Sequence, residues 1–206
     1  MGWYEQHVVP RIVNLTCANR RMLPLRARAL ADVSGTVVEL GFGSGANLPA
    51  YPSTVEQVIA IEPSEVGKAM AAKRVAASSI PVEFAGLDGQ QLPLDDESAD
   101  NVVSTWTLCT IPDAAAAMRE VRRVLRPGGA FTFLEHGLSP DAKVARRQHR
   151  YNGVQRRIAG GCNLDRDINA LVEGAGFTIE RGSTFYIAGP KVLCFMYSGV
   201  ARAEKP

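Results

Sequence analysis

The sequence predicts an α/β fold: a doubly wound, seven-stranded sheet, mostly parallel, that closes with an antiparallel C-terminal hairpin. Short β-branched apolar runs alternate with helix-patterned segments along most of the 206 residues, the pattern of strands kept parallel by crossover helices. The first of these runs, TVVEL (36–40), passes directly into a turn with glycines at 41, 43 and 45, as a strand-to-helix turn that holds a ligand does. The last two strand-like runs flank Gly189-Pro190, a turn signal that reverses the chain.

Each element follows from local pattern. In the first 30 residues Ile12, Leu15, Asn19 and Leu23 recur at helical spacing, which predicts one or two helices. After strand 36–40, EQVIAIE (56–62) reads as the second strand, and Ser64 caps an alanine-rich helix over 64–78. PVEFAG (81–86) and DNVVSTW (100–106) read as strands three and four. Asp113 caps a helix over 113–125 that Arg-Pro-Gly-Gly stops, and AFTFLEH (130–136) is strand five. A basic polar stretch runs to about Asn163, a short helix spans 165–176 with Asp165 as a candidate cap, and strands at 177–188 and 191–201 finish the chain. The whole, 1–206, reads as one Rossmann-like domain.

Composition excludes several classes. The formal net charge of +2 does not suit a nucleic-acid binder. Its distribution is uneven: residues 1–30 hold five arginines against Glu5, and residues 139–166 hold seven Lys/Arg against Asp141 and Asp165. Two basic segments on an otherwise acidic body suit an anionic partner or solvated helix faces. Cys17, Cys109, Cys162 and Cys194 form no C-x-x-C pair, so they read as reduced thiols and no metal site is expected. No signal peptide is visible, and no apolar run approaches the roughly 18 residues of a membrane span. A cytoplasmic protein is the expectation.

The glycine turn fits two ligands. GFGSGA satisfies the dinucleotide pattern G-x-G-x-x-G/A, with Ala46 as its last member. Glu39, two residues before Gly41, argues for the other: a strand-end carboxylate suits the cationic amino group of a methionine moiety, so E-x-G-x-G-x-G favours S-adenosylmethionine. Phe42, Gly43, Gly45 and Asn47 complete the expected loop contacts. Glu62, followed by Pro63, ends the second strand, where an acid accepts from ribose hydroxyls in either case. Asp88 and Gly89 follow the third strand, suited to an adenine edge, and Thr105 and Trp106 end the fourth, suited to the methionine sulfur or an acceptor.

The runs VVELGFGSGANL, AIEPS, LDGQQLPLDDESADNVVSTWTLCTI and AMREVRRVLRPGGAFTFLEHG, taken in order over about 36–137, resemble the successive motifs of class I S-adenosylmethionine-dependent methyltransferases. TLCTI, VLRPGGAFTFLEHG and the later GGCNLDRD are similar to the methyltransferase-like thiol S-methyltransferases and their bacterial relatives, a likeness reaching about residue 197. The resemblance implies an S-adenosylmethionine cofactor, a seven-stranded sheet and a thiol acceptor. Those relatives carry a hydrophobic N-terminal anchor, and none is visible here. The chain also lacks the Y-x-x-x-K pair of short-chain dehydrogenases, which leaves a nicotinamide enzyme as a minor alternative.

Methyl transfer from a sulfonium needs alignment, exclusion of water and a deprotonated acceptor. His136, ending strand five in LEHG, is the candidate general base. Cys162 and Asn163 are a second candidate acceptor-facing group, and Cys109 reads as a buried thiol. Residues 1–30, with Trp3, Tyr4 and His7, and the basic segment 139–164 are the expected lid over the acceptor site. The expected acceptor is a small molecule. The alternatives are a phospholipid headgroup or quinone-type lipid, with peripheral membrane contact through the basic segments, and a non-catalytic S-adenosylmethionine-binding module.

Overall fold

The computed structural model describes Tyr4 and residues 7–203; Trp3 lies outside the described residues. In chain order the elements are α1 (Val9–Cys17), α2 (Leu23–Ala29), β1 (Gly35–Leu40), β2 (Val55–Ile61), α3 (Glu65–Ala77), β3 (Val82–Gly86), β4 (Ala99–Thr105), α4 (Ala114–Val124), β5 (Leu125–His136), α5 (Ala142–Ile158), α6 (Ile168–Gly174), β6 (Phe177–Tyr186) and β7 (Phe195–Ala203). The strands form one seven-stranded sheet in the order β3-β2-β1-β4-β5-β7-β6. Strands β1 to β5 pair in parallel, and β7 is antiparallel to both β5 and β6. The predicted hairpin forms, with β7 inserted beside β5 and β6 left at the edge.

Strand alternation builds a core on each face. Val38 and Leu40 of β1 join Val102, Phe131 and Phe133 under α4 and α6, where Met118, Val121, Ile168 and Val172 are buried. Val37, Val58, Ala60 and Val103 pack on the other face with Leu30, Val33 and Ala71. The period of two puts Glu39 on the face of Val37. The sheet order reverses between β1 and β4, so the crevice at their carboxyl ends is the ligand position of an open α/β sheet.

The caps are largely as the sequence indicates: Gly67 N–H donates to Ser64 Oγ (3.0 Å) and Ala116 N–H to Asp113 Oδ1 (2.9 Å). Four details differ. Asp167, not Asp165, caps α6, through Ala170 N–H. Asp165 instead accepts from Asn152 Nδ2 and pairs with His149. Strand β5 starts at Leu125 because a register shift absorbs Pro127-Gly128-Gly129. Strand β7 starts only at Phe195, after a turn closed by Leu193 N–H on Pro190 O.

The basic stretch is mostly helix. Asp141 caps α5 through Lys143 and Val144 N–H, and the fully buried Gln148 ties it down. Its Nε2 donates to Gly137 O and Val192 O, and its Oε1 accepts from Ser139 N–H. The apolar positions of α1 do not face a core: Ile12 and Leu15 are exposed. Among the described residues, no helix is long and apolar enough to cross a membrane.

Candidate functional site

A cavity of about 590 Å³ opens at the carboxyl ends of β1, β2 and β4. The glycine turn forms one wall. Gly41 and Phe42 N–H both donate to Ile61 O, which pins the turn to β2. Gly41 has φ +67°, and a Cβ there would lie 2.2 Å from Thr107 Oγ1, so only glycine fits. At Gly43, φ is +57° and a Cβ would meet nothing closer than Gly41 O at 3.8 Å. Its backbone is bare toward the cavity, as close approach to a ligand requires.

Two carboxylates flank this turn. Glu62 is fixed by the loop it supports: Oε2 accepts from Gly43 N–H (2.6 Å) and Oε1 from Ser64 N–H (2.7 Å). Burial raises its pKa, against those two hydrogen bonds. Glu39 is deeper. Tyr51 Oη donates to its Oε2 (2.6 Å) and Asn47 Nδ2 to its Oε1 (2.9 Å). Burial pushes its carboxyl up to about 7, opposed by the Tyr51 hydrogen bond, the Arg26 charge and Asn47.

Arg26 was not legible as a site residue, since an arginine in a basic helical segment reads as solvated. The fold buries it. Its guanidinium donates to Asn47 Oδ1, to Thr105 Oγ1 (2.8 Å) and to Cys17 O (2.8 Å), and lies 4.6 Å from the Trp106 ring centre. Burial lowers its pKa, and Glu39 is the foremost opposing charge. Arg26 thus links α2, the glycine turn and the end of β4. Trp106 adopts φ +54°, a strained conformation for a bulky residue that marks a functional turn.

The remaining sequence candidates sort by position. Glu39, Gly41, Phe42, Gly43, Glu62, Pro63, Asp88, Gly89, Thr105 and Trp106 line the cavity. Gly45 packs on Phe42 and Leu48, and Asn47, fully buried, stands behind Glu39. Asp88 Oδ1 accepts from both the N–H and the Nε2 of Gln90, which holds the turn after β3. The far wall is the inner side of α1, with Val9, Val13 and Cys17, and the turn Ala159–Gly161 after α5. Val9 Cγ1 lies 2.7 Å from where a Cβ of Gly160 would be, and Tyr4 Oη donates to Ile158 O, so the two basic segments meet over the cavity. His7 lies just ahead of α1, half-buried.

His136 ends β5 as the sequence indicates, but it is 5% exposed and is not part of the cavity wall. Strand alternation separates it from Glu135, whose Oε1 accepts from Ser104 Oγ and Thr107 N–H. His136 Nδ1 lies 3.9 Å from Cys162 Sγ, which is itself 3.8 Å from Cys109 Sγ. The Cys109 contact, with His136 beside it, lowers the pKa of Cys162; the same contact and burial raise that of Cys109. Cys162 and Asn163 stand just behind the wall, not on it. His136 thus stands behind the wall with Cys162, not on the cavity side of it. The three-residue cluster had no sequence signal, because its members are far apart in the chain.

Residues 38–133 match the family model described as a methyltransferase domain. The chain is 34% identical over 169 residues to the human thiol S-methyltransferase TMT1B, covering 78% of this chain and 68% of that one. It is 32% identical over 125 residues to a demethylmenaquinone methyltransferase of Clavibacter sepedonicus, covering 60% and 51%. Among solved structures, an S-adenosylmethionine-dependent methyltransferase of Mesorhizobium loti superposes with a TM-score of 0.64 at 22% identity, covering 88% of this chain and 97% of that one.

Proposed function

Because the chain belongs to the S-adenosylmethionine-dependent methyltransferase family that includes the thiol S-methyltransferases, we propose that it methylates a small thiol held beneath α1 and the Ala159–Gly161 turn. The observation that carries this is the continuity of one cavity from the glycine turn to that cover. Its volume of about 590 Å³ lies within the range of about 300–1,000 Å³ for small-molecule sites.

The residues fit the cofactor on structural grounds. The bare backbone at Gly43 and the positive φ of Gly41 and Gly45 form a cradle that side chains would fill. Glu39, buried and raised to about 7, is a carboxylate lacking a full counter-charge and suits the cofactor's ammonium group. In this reading Glu62, with Pro63 beside it, takes the ribose hydroxyls through lone pairs left free by Gly43 and Ser64. Asp88 and Gly89 take the adenine edge. Phe42, Gly45 and Asn47 shape the turn, while Thr105 and Trp106 close the methionine end, stiffened by Arg26.

When bound, S-adenosylmethionine supplies an electrophilic methyl group on a sulfonium. The chain's part is to align the acceptor sulfur with that methyl and to exclude water, which raises the effective concentration of the pair. On the α1 side, Val9 and Val13 give that wall its apolar surface, and Asn14 and Cys17 are the polar side chains on it.

A second reading is favoured by one observation. Ile12 and Leu15 on α1 and Tyr151, Val154 and Ile158 on α5 are exposed, and they sit among the arginines of both basic segments. That surface would rest on an anionic membrane and admit a quinone-type lipid. The deciding experiment measures S-adenosylhomocysteine release across matched panels of small thiols, phenols and quinols. The reading requires turnover with thiols; turnover confined to quinols would replace it with the second.

A further inference from the structure

Three side chains that the glycine turn does not use converge behind the acceptor end of the cavity: Cys109 in the turn after β4, His136 at the end of β5 and Cys162 after α5. Their ligand atoms all lie within 4.8 Å of one another. The Cys162 Sγ to Cys109 Sγ distance is 3.8 Å and the Cys162 Sγ to His136 Nδ1 distance is 3.9 Å. A tetrahedral zinc with Zn–S of about 2.3 Å and Zn–N of about 2.0–2.1 Å spans S···S of about 3.8 Å and S···N of about 3.6 Å. The two edges at Cys162 are close to those of such a centre, and the third, Cys109 to His136, lies within 4.8 Å.

The surroundings hold the ligands in this arrangement. Asn163 donates to Cys109 O through both its N–H (2.8 Å) and its Nδ2 (2.9 Å), which fastens the Cys162 loop to the Cys109 turn. Gly160 and Gly161, at φ +59° and +85°, make the tight turn that delivers Cys162. Two sulfurs and one imidazole are a borderline-soft donor set, matched to zinc and poorly matched to magnesium or calcium. Three protein ligands leave a fourth position open, as in reactive zinc sites and unlike closed structural ones. Thr110 and Gly161, each next in sequence to a ligand, line the cavity, so the cluster lies one residue of chain behind its acceptor end.

We propose that Cys109, His136 and Cys162 form a site for a thiophilic divalent cation, zinc(II) by donor set and spacing, whose open position takes the sulfur of the acceptor. The second half of this rests on the thiol reading above; the metal site does not. On binding, the ligand thiols release their protons to solvent. An acceptor thiol entering the fourth position likewise gives its proton to solvent and is held as the reactive thiolate. The sequence's candidate base thus becomes a metal ligand.

The test uses cobalt(II) as a spectroscopic stand-in, added to the reduced, chelator-stripped full chain without S-adenosylmethionine. One equivalent should bind with thiolate-to-metal charge-transfer absorption, and zinc(II) should displace it. Cys162→Ser and Cys109→Ser should each weaken binding at least about tenfold, since even outer-shell partners are worth about 10–100-fold. His136→Gln should shift the ligand-field bands, and Cys194→Ser, which lies outside the cluster, should change nothing; circular dichroism checks that every variant is folded. Absence of stoichiometric binding, or binding indifferent to Cys162→Ser in a folded variant, overturns the site. Adding a small thiol should then perturb the ligand-field bands. An intact cobalt site blind to every thiol overturns the acceptor-sulfur half alone, and a thiol-responsive site in an enzyme that turns over only quinols counts against the thiol reading of the activity while leaving the metal site standing.

Discussion

At the glycine-turn end of the cavity, polar groups are buried and bonded to one another, with Arg26 Nε left without a hydrogen bond: Glu39 with Tyr51 and Asn47, Asn47 with Arg26, Arg26 with Thr105 and Trp106. At the covered end, α1 buries none of its residues, and Leu15 is 75% exposed. The first region is part of the core and cannot change without cost to the fold. The second rests on the core and is free to vary with the acceptor. In the proposed reading, a methyl donor common to many enzymes is held by the rigid end, and the group that differs between them meets the adaptable end.

The sharpest way to break this contrast is Arg26→Ala. It removes the donor shared by Asn47 and Thr105 and leaves Glu39 without its nearest positive charge, so thermal and urea unfolding should register a loss of about 3–5 kcal/mol. Arg26→Lys should recover part of it, since a lysine keeps the charge and loses the fork. A loss below about 1 kcal/mol for Arg26→Ala would mean that the network is not part of the core.

Glu62→Ala comes next. It takes away the acceptor of Gly43 and Ser64 N–H as well as the proposed ribose contact. Charge-assisted hydrogen bonds are worth about 1.5–3 kcal/mol each, so calorimetry should find S-adenosylmethionine bound about 10–100-fold more weakly. Cobalt binding at the cysteine cluster should be unchanged, because the two ends share no ligand.

How far each end could be read in the sequence follows the same division. Glu39, Gly41 and Glu62 sit at fixed offsets from strand ends, and a local pattern finds them because strand, turn and ligand contact are contiguous. Thr105, named at the end of β4, lines the cavity, while Asn47, named in the same pattern, stands behind Glu39 and donates to it. The sheet and its helices were legible through alternation and caps, down to Ser64 and Asp113. Arg26 was not, because what buries it is the meeting of α2 with β4, 79 residues away. Nor was the cluster: Cys109 and Cys162 are 53 residues apart, and only the packing of their two loops at the end of β5 brings them together with His136. His136 was found by position, at the end of β5, but a strand end does not say which way the side chain faces, and it lies off the cavity wall.

Glu39 provides a subtler comparison, through pH. Its folded pKa of about 7 lies above the ordinary 4.5, so between those values the folded state holds a proton that the unfolded state has released. Stability of the cofactor-free protein should therefore fall as pH rises from about 4.5 to about 7, by up to about 3 kcal/mol at 1.36 kcal/mol per unit. Saturating S-adenosylmethionine should flatten this slope, because an ammonium beside Glu39 favours the ionised form. Glu39→Gln should flatten it without ligand. A slope that survives in Glu39→Gln belongs to another group, with Glu62 and Glu135, both raised by burial, the ones to test next.

The smallest effect on stability is expected at the other end, and its smallness is the point. Leu15 on α1 and Val154 on α5 are 75% and 56% exposed, so Leu15→Ser and Val154→Ser remove no core contact and should move unfolding free energy by no more than about 0.5 kcal/mol. S-adenosylmethionine affinity should also hold, since neither residue lines the cavity. What they present to solvent is apolar surface on the two arginine-bearing segments, with Arg20 and Arg21 just after α1 and Arg150 and Arg157 on α5. If that surface meets a bilayer, sedimentation with phosphatidylserine-containing vesicles should drop in the double variant, with salt weakening what binding remains. If the wild-type chain leaves such vesicles untouched at low salt, the surface serves a soluble acceptor or partner instead. An unfolding loss comparable to that of Arg26→Ala would instead erase the distinction between a rigid donor end and an adaptable cover.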